Sequence, residues 1–431
     1  MRSINVGLIG FGTVGTGVVK ALLAKKKVLA ERSGIVINLI KIADKKLHRR
    51  RGIRLPKNIL TSDIDSVLTD KNIDIIVELI GGIDPAKNII LKALTSGKHV
   101  VTANKALLAE FGSEIFSIAR KFRVCLGFEA SVGGGIPIIN VLRKSLVSND
   151  IEVIYGILNG TSNFILTKMS EQNQTFQQAL RTARTKGIAE KDPSLDVSGM
   201  DSCHKLSILA LLGFGLGVKY SDIYIEGIEK IDRTDIQYAK KWGYGVKLLA
   251  IAKRVGEKLD LRVHPTLIPL RSVLSSVKDE NNAIFIRGDM VGETLFYGKG
   301  AGSYPTASSI ISDIVEIAKN VDEVGRDRSP FKLGFSGRVK KLRKINDLAT
   351  GYYLRFSAID KPGVLSVISK VLAQNKISIA TVTQKERKQG QPVPIVMLTH
   401  EANEGKMHKA LDKIDRLSFI AEKTVRIRIE R

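Results

Sequence analysis

Three clusters carry residue types and spacings suited to chemistry. The first is Gly10-Phe11-Gly12-Thr13-Val14-Gly15, a GxGxxG. Its first glycine permits a tight turn, its second lets backbone reach a pyrophosphate, and its third allows close helix–strand packing. A helix opening there offers free N–H groups and a positive dipole end to the anion. The motif alone is weak, but here apolar Val6–Ile9 precedes it and helical spacing from Val14 to Ala30 follows, the context that a dinucleotide cradle requires. The second cluster is Ala43-Asp44-Lys45-Lys46 at the end of an apolar run. Asp44 can take ribose hydroxyls and favour NAD, whereas Lys45, Lys46, Arg49 and Arg50 can hold a 2′-phosphate and favour NADP. These charges can equally cap a strand end in solvent, and the choice of cofactor stays open. The third cluster is Glu190, Lys191, Asp192, Asp196, Asp201 and Lys205, all within sixteen residues. Taken alone, Asp201 and Lys205 at i,i+4 read as a surface ion pair worth about 0.3–0.5 kcal/mol. Beside a hydride acceptor the same set is a proton-transfer site. Oxidising an alcohol needs a group that takes the hydroxyl proton, and a lysine serves once desolvation lowers its pKa. A neighbouring carboxylate favours the charged amine, so Asp201 suits orienting more than activating. Other acids nearby suit a substrate ammonium.

The elements that must position these clusters alternate over the first third. Strands are predicted at Val6–Ile9, Ile35–Ala43, Ile73–Leu79, His99–Thr102 and Arg123–Gly127, with helices at Val14–Ala30, Pro85–Ser96 and Lys105–Phe122. Such alternation implies parallel pairing and a doubly wound, Rossmann-like sheet. After Gly133-Gly134-Gly135-Ile136-Pro137 the pattern changes to a mixed α/β region: a helix at Ile138–Leu146, a strand at Ile151–Leu158, polar and helical stretches to about Gly217, and strands at Leu261–Ile268, Ala283–Arg287 and Glu293–Tyr297. The last 80 residues read as strand, helix, strand, strand, helix, strand, a ferredoxin-like βαββαβ unit. The predicted division is 1–135, 136–325, a basic linker at 326–349, and 350–431, with a helix near 305–320 able to pack back on the first domain.

The chain has 431 residues, 44% hydrophobic and 26% charged, and a net charge of +25. That is a globular balance with room for two to four domains. The longest apolar stretch, Leu206–Val218, is too short to span a membrane. The N-terminus runs directly into Val6–Gly10 and reads as a strand rather than a signal peptide. Cys125 and Cys203 lie in no CxxC, which excludes a disulfide framework and a Cys-rich metal site and fits a reducing cytoplasm. From Arg326 to Arg431 there are 23 basic and 10 acidic residues, about half of the excess. Basic patches attract phosphate without specificity. No zinc-finger spacing or RNA-binding aromatic signature accompanies the charge, so a solvated surface is expected and no nucleic-acid partner.

At the acidic cluster the chain resembles the homoserine dehydrogenases over residues 1 to about 320. The matching segments are Gly7–Val18, Thr102–Ala109, Phe128–Ile139, Gly156–Thr167, Ala189–Leu206 and Gly298–Ile310, in the family's order. The resemblance implies NAD(P)-dependent interconversion of L-aspartate 4-semialdehyde and L-homoserine, on the path to threonine, methionine and isoleucine. It implies Lys205 as general acid/base, Asp201 as its helical neighbour contacting substrate, and Glu190 and Asp196 as substrate-binding acids, Glu190 near the amino group. It places Lys105 between nicotinamide and substrate, makes Thr13, Val14, Ala103 and Gly302 cofactor contacts beside Gly10, Phe11, Gly12 and Gly15, and lines the pocket with Asn159, Gly160 and Thr161. It also implies a monovalent cation, usually sodium, on the main-chain oxygens of Glu129, Val132, Gly134 and Ile136. The C-terminal unit resembles an ACT domain through Asp360-Lys361-Pro362-Gly363-Val364-Leu365. This implies a homo-oligomer, a dimer or tetramer, and feedback by an amino acid such as threonine, or a purely structural role for that unit. Three other readings remain: a dehydrogenase of another small amino acid or semialdehyde, an inactive amino-acid sensor, and nucleic-acid binding through the basic linker.

Overall fold

The computed structural model describes residues 2–324, 339–384 and 390–430. They fall into two compact units, drawn from 1–152, 204–222 and 282–339, and from 153–203, 223–281 and 340–431. In the first unit, β1 (Arg2–Ile9), β2 (Ile35–Ala43), β3 (Leu60–Thr61), β4 (Ile75–Glu78), β5 (His99–Thr102) and β6 (Leu126–Gly127) form one sheet in the order β3-β2-β1-β4-β5-β6. Every neighbouring pair is parallel. Parallel strands are covered on both faces and therefore need near-continuous apolar runs. β1 supplies one, with Val6, Leu8 and Ile9 inaccessible to solvent. The strand order reverses between β1 and β4, and in such sheets ligands settle outside the C-terminal strand ends at that switch point. The two-residue β3 was too short to register as a periodic run. The helix Ser303–Val324 places Ile310, Ile314 and Ile317 in one core with Val18, Val19 and Leu22 of the helix Thr13–Ala24. The stretch read as a continuous helix, Ile138–Leu146, instead widens after Asn140 to an i→i+5 turn, with the Leu146 N–H on the Val141 carbonyl at 2.9 Å.

In the second unit, β7 (Ile151–Ile157) pairs antiparallel with β9 (Tyr244–Val255), which forms a long antiparallel hairpin with β10 (Lys258–Pro269). The short β8 (Tyr224–Ile225) lies parallel to β10. β9 was not expected. Its run Leu248–Ala252 is buried on both faces, so it lacks the alternation that marks a half-buried strand. The next strands, β11 (Asn281–Gly288) and β12 (Gly292–Lys299), lie almost wholly in the first unit.

The C-terminal strands are β13 (Lys341–Leu342), β14 (Ala349–Ile359), β15 (Ile379–Thr383), β16 (Pro392–Thr399), β17 (Ala402–Asn403) and β18 (Ile420–Ile429). With the helices Val364–Gln374 and Glu404–Ile414 they form the expected βαββαβ, its sheet ordered β18-β14-β16-β15 and antiparallel throughout. Its core holds Tyr352, Leu354, Phe356, Ile368, Leu372 and Met407. Of the stretch read as a basic linker, residues 326–338 lie outside the described residues. Lys341 and Leu342 are strand, paired parallel with Lys258 and Leu259 of β10.

The C-terminal sheet continues the β9–β10 hairpin, because β18 pairs with β10 through Thr266 opposite Arg428 and Leu267 opposite Ile429. Charges sit along this seam. Arg262, 1% exposed, donates to Asp260 and, at 2.8 Å, to Glu430. Arg428 donates to Glu226 at 2.6 Å and to both oxygens of Glu404. Burial would raise the Glu226 carboxyl above its usual range, but the guanidinium groups of Arg428 and Arg426 outweigh it and bring it down to about 2. A carboxyl lowered by folding stabilises the folded state above its ordinary value of 4.5, and that contribution is lost as pH falls toward 2. Circular dichroism between pH 5 and 2 is expected to show stability falling over this window, with a flatter profile in Glu226→Gln.

Candidate active site

The first-unit site is built on the C-terminal ends of β1, β2, β4 and β5. Gly10 turns the chain at φ +103°, where a Cβ would sit 2.6 Å from the Leu79 backbone. At Gly15 a Cβ would lie 2.2 Å from the Gly10 carbonyl oxygen, so the helix starts hard against the turn. Gly12 caps that helix without any side-chain hydrogen bond, and the space over its α-carbon is open. These are the two conditions for an anion to take the helix N–H groups. Ser303 donates to the Thr13 carbonyl at 2.9 Å and so holds Gly302, at φ +119°, beside the turn.

Asp44 closes the cradle. Its carboxylate accepts the Phe11 N–H at 2.7 Å and the Lys46 N–H at 2.6 Å, and pairs with Arg51 at 3.1 Å. Arg51 also donates to the Phe11 carbonyl at 2.8 Å and lies over the Phe11 ring. Nothing in the sequence sets Arg51 apart from the basic residues beside it. Glu78 also lies outside the expected site residues. Fully buried at the end of β4, it accepts the Ile80 N–H at 2.7 Å and the Thr102 hydroxyl at 2.7 Å. Thr102 in turn accepts the Asn104 N–H, and the Asn104 side chain caps the helix Lys105–Lys121 by accepting from Leu107. This chain of bonds fixes half-buried Ala103 and Lys105 at the strand-to-helix turn. Its sequence signal was an acid ending an otherwise apolar strand.

A second group of candidate residues is centred on Asn159. Its carboxamide donates to Asp196 at 2.7 Å and to Asp201 at 2.9 Å, while its oxygen caps the helix Gly160–Gln172 by accepting from Ser162 at 2.8 Å. Two carboxylates that would repel each other are thus gathered on one neutral donor. Ser162 donates to the Asp196 carbonyl, and Thr161 to that of Ile188. Gly160 meets the Glu280 carbonyl so closely that a Cβ would lie 2.6 Å from it. Asp201 and Lys205 sit one turn apart on the helix Met200–Phe214, 6% and 7% exposed. A solvated surface pair would be exposed, so that reading of them fails. Glu190 is exposed and precedes the short helix Ser194–Val197 that carries Asp196.

The loop Glu129–Ile136 is buried except at Gly135. Glu129 accepts the N–H groups of Ile139 and Asn140, and its own N–H donates to Asp313. Burial raises both carboxyls above their usual range. Both cysteines are buried, and burial pushes each thiol up to about 12, which disfavours a thiolate nucleophile. Among the described residues no cluster of His, Cys, Asp and Glu suits a metal, and no helix is long and apolar enough to cross a membrane.

Three family models divide the chain: "Homoserine dehydrogenase, NAD binding domain" over residues 10–129, "Homoserine dehydrogenase" over 137–315, and "ACT domain" over 352–419. The homoserine dehydrogenase of Neisseria gonorrhoeae is 41% identical over 433 residues, covering 100% of this chain and 99% of that one. The chain belongs to the homoserine dehydrogenase family. Members of this family are oxidoreductases acting on a CH–OH group, and here the catalytic and dinucleotide-binding parts are joined to an ACT domain. The crystal structure of a homoserine dehydrogenase from Thiobacillus denitrificans matches with a TM-score of 0.93 and 42% identity, over 100% of this chain and 99% of that one. A hyperthermophilic archaeal homoserine dehydrogenase solved in complex with NADPH is 27% identical with a TM-score of 0.64, covering 74% of this chain and 98% of that one.

Removing the Asn159 carboxamide deletes a helix cap and the donor that two buried carboxylates share. Asn159→Ala is expected to cost about 2–3 kcal/mol in urea denaturation, of which the cap accounts for about 1 kcal/mol. Asn159→Asp, which keeps a capping oxygen but adds a third negative charge, should recover only the cap's share.

Proposed function

We propose that the Asn159–Asp196–Asp201 cluster binds homoserine and that Lys205 moves the proton in its reversible oxidation to aspartate 4-semialdehyde. The observation that supports this most is the Asn159 carboxamide holding two carboxylates at the head of the helix that carries Lys205. The bound nicotinamide supplies the hydride or accepts it. Lys205 takes the proton of the substrate hydroxyl during oxidation and returns it to the carbonyl oxygen during reduction. Lys205 is 7% exposed, so its amine is withdrawn from bulk water, where a proton carrier must be held at one atom of the substrate. Asp201 orients the lysine and the substrate, Asp196 and Glu190 take the substrate ammonium, and Asn159, Gly160 and Thr161 shape the pocket wall. Lys105 stands at the nicotinamide side. The dinucleotide is held by residues Gly10 to Gly15, Asp44, Ala103 and Gly302.

NADP is the favoured cofactor in this reading. The Asp44 carboxylate is already taken by two N–H groups and Arg51, so its charge is neutralised where it would otherwise repel a 2′-phosphate. Lys45, Lys46, Arg49 and Arg50 stand exposed around it. A monovalent cation, sodium, is assigned to the main-chain oxygens of Glu129, Val132, Gly134 and Ile136. Gly133 and Gly134 curl that loop at positive φ, and a hard ion of low charge suits a ring of carbonyls. The enzyme works as a cytoplasmic homodimer or homotetramer, with domains at 1–135, 136–325 and 350–431, and the ACT domain takes an amino-acid effector such as threonine.

Lys205→Ala is expected to abolish homoserine oxidation at 340 nm while leaving NADP affinity by fluorescence titration near normal. Turnover like that of the wild type would remove Lys205 from the mechanism. In the unmodified enzyme kcat/KM should favour NADP over NAD, and Arg51→Ala should shrink that ratio. Thermal melts in NaCl and in choline chloride at equal ionic strength test the cation, since sodium should raise the Tm and choline should not.

A further inference from the structure

The acid Asp196 stands on a short segment whose other side is backbone. The Val197 carbonyl accepts the Ile228 N–H at 2.9 Å. At Gly227 a Cβ would lie 2.5 Å from that same Val197 oxygen and 2.8 Å from the Ser198 α-carbon. Residues 197–199 and 225–228 therefore pack main chain to main chain. The segment 225–228 is held at Glu226. Its N–H donates to the Val263 carbonyl of β10 at 2.8 Å. One carboxylate oxygen accepts from Arg428 at 2.6 Å, and the other accepts from Arg426 at 2.9 Å and from the Tyr224 hydroxyl.

Both arginines come from β18, the last strand of the chain. Arg428 is inaccessible to solvent, and its remaining N–H groups donate to Glu404, at the start of the helix Glu404–Ile414, and to Tyr224. Arg426 also pairs with Glu404 at 2.8 Å. The result is a charge-balanced quartet of two carboxylates and two guanidinium groups, joining the ACT helix, β18 and the segment that braces Asp196. Stability alone does not explain such a quartet, since a buried ion cluster is commonly no better than packed apolar side chains of the same volume. What it does supply is a fixed geometry, because each planar guanidinium accepts few orientations on its carboxylates.

We propose that Glu226, clamped by Arg428 and Arg426, is a positioning residue for the substrate-binding acid Asp196, so that the last strand of the ACT domain sets the homoserine pocket within the same chain. The ACT domain is then part of the substrate site's scaffold. Because Arg428 serves Glu226 and Glu404 together, a displacement of the helix Glu404–Ile414 reaches Asp196 through one guanidinium group.

The proposal rests on homoserine being the substrate, and wild-type oxidation of homoserine, measured alongside, tests that premise separately. Glu226→Gln keeps the shape and removes the charge that two arginines share. Its KM for homoserine should rise about tenfold while kcat stays within about twofold and NADP affinity by fluorescence titration is unchanged. Arg426→Gln touches the more exposed of the two arginines and should show the same split at about threefold, which keeps the test usable should Glu226→Gln fold poorly. An unchanged KM in Arg426→Gln, or a raised KM accompanied by loss of kcat and dinucleotide affinity in proportion to lost helical ellipticity, would overturn the proposal and leave the quartet a structural staple only.

Discussion

The bridge from one carboxamide to two carboxylates is the constraint on which the site depends. Asp196 and Asp201 come from different elements, and the Asn159 amide joins them. Asn159 can hold both because an amide nitrogen carries two donors. Its oxygen is tied at the same time into the helix Gly160–Gln172, so the bridge cannot swing. A rigid neutral donor therefore fixes two negative charges, and those charges suit the ammonium of an amino-acid substrate. The helix Met200–Phe214, with Asp201 in its first turn, then brings Lys205 one turn further along.

The first unit solves a related problem with backbone. A dinucleotide brings its own charges, and a helix start with open N–H groups is suited to meet them without many side chains. The bonds around that helix keep it open: Asp44 and Arg51 tie down Phe11, Ser303 ties down Thr13, and no side chain caps Gly12. Glu78, Thr102 and Asn104 do the same for the turn that carries Ala103 and Lys105.

Much of this was legible from local pattern. The glycine cradle reads from spacing because each glycine answers a local steric demand, as the close approach at Gly15 shows. The βαββαβ order reads from alternation, since each element has its own period. The acidic cluster reads from density, although only the family resemblance separated Asp196 and Lys205 from neighbours such as Asp192. What escaped was set by partners distant in sequence. The β9 run is covered on both faces, so it carries no period. Arg51 looks like any basic residue until folding brings Phe11 and Asp44 to it. The pairing of Leu267 with Ile429 joins strands more than 160 residues apart, and no local period can announce it.

The most direct test of the central claim is substrate discrimination. kcat/KM should be compared for homoserine and for 4-hydroxybutyrate, which lacks only the amino group, in the wild-type enzyme and in Asp196→Asn. Wild type should prefer homoserine strongly, and the substitution should erase most of this preference by acting on homoserine alone. A preference undiminished in Asp196→Asn would contradict it.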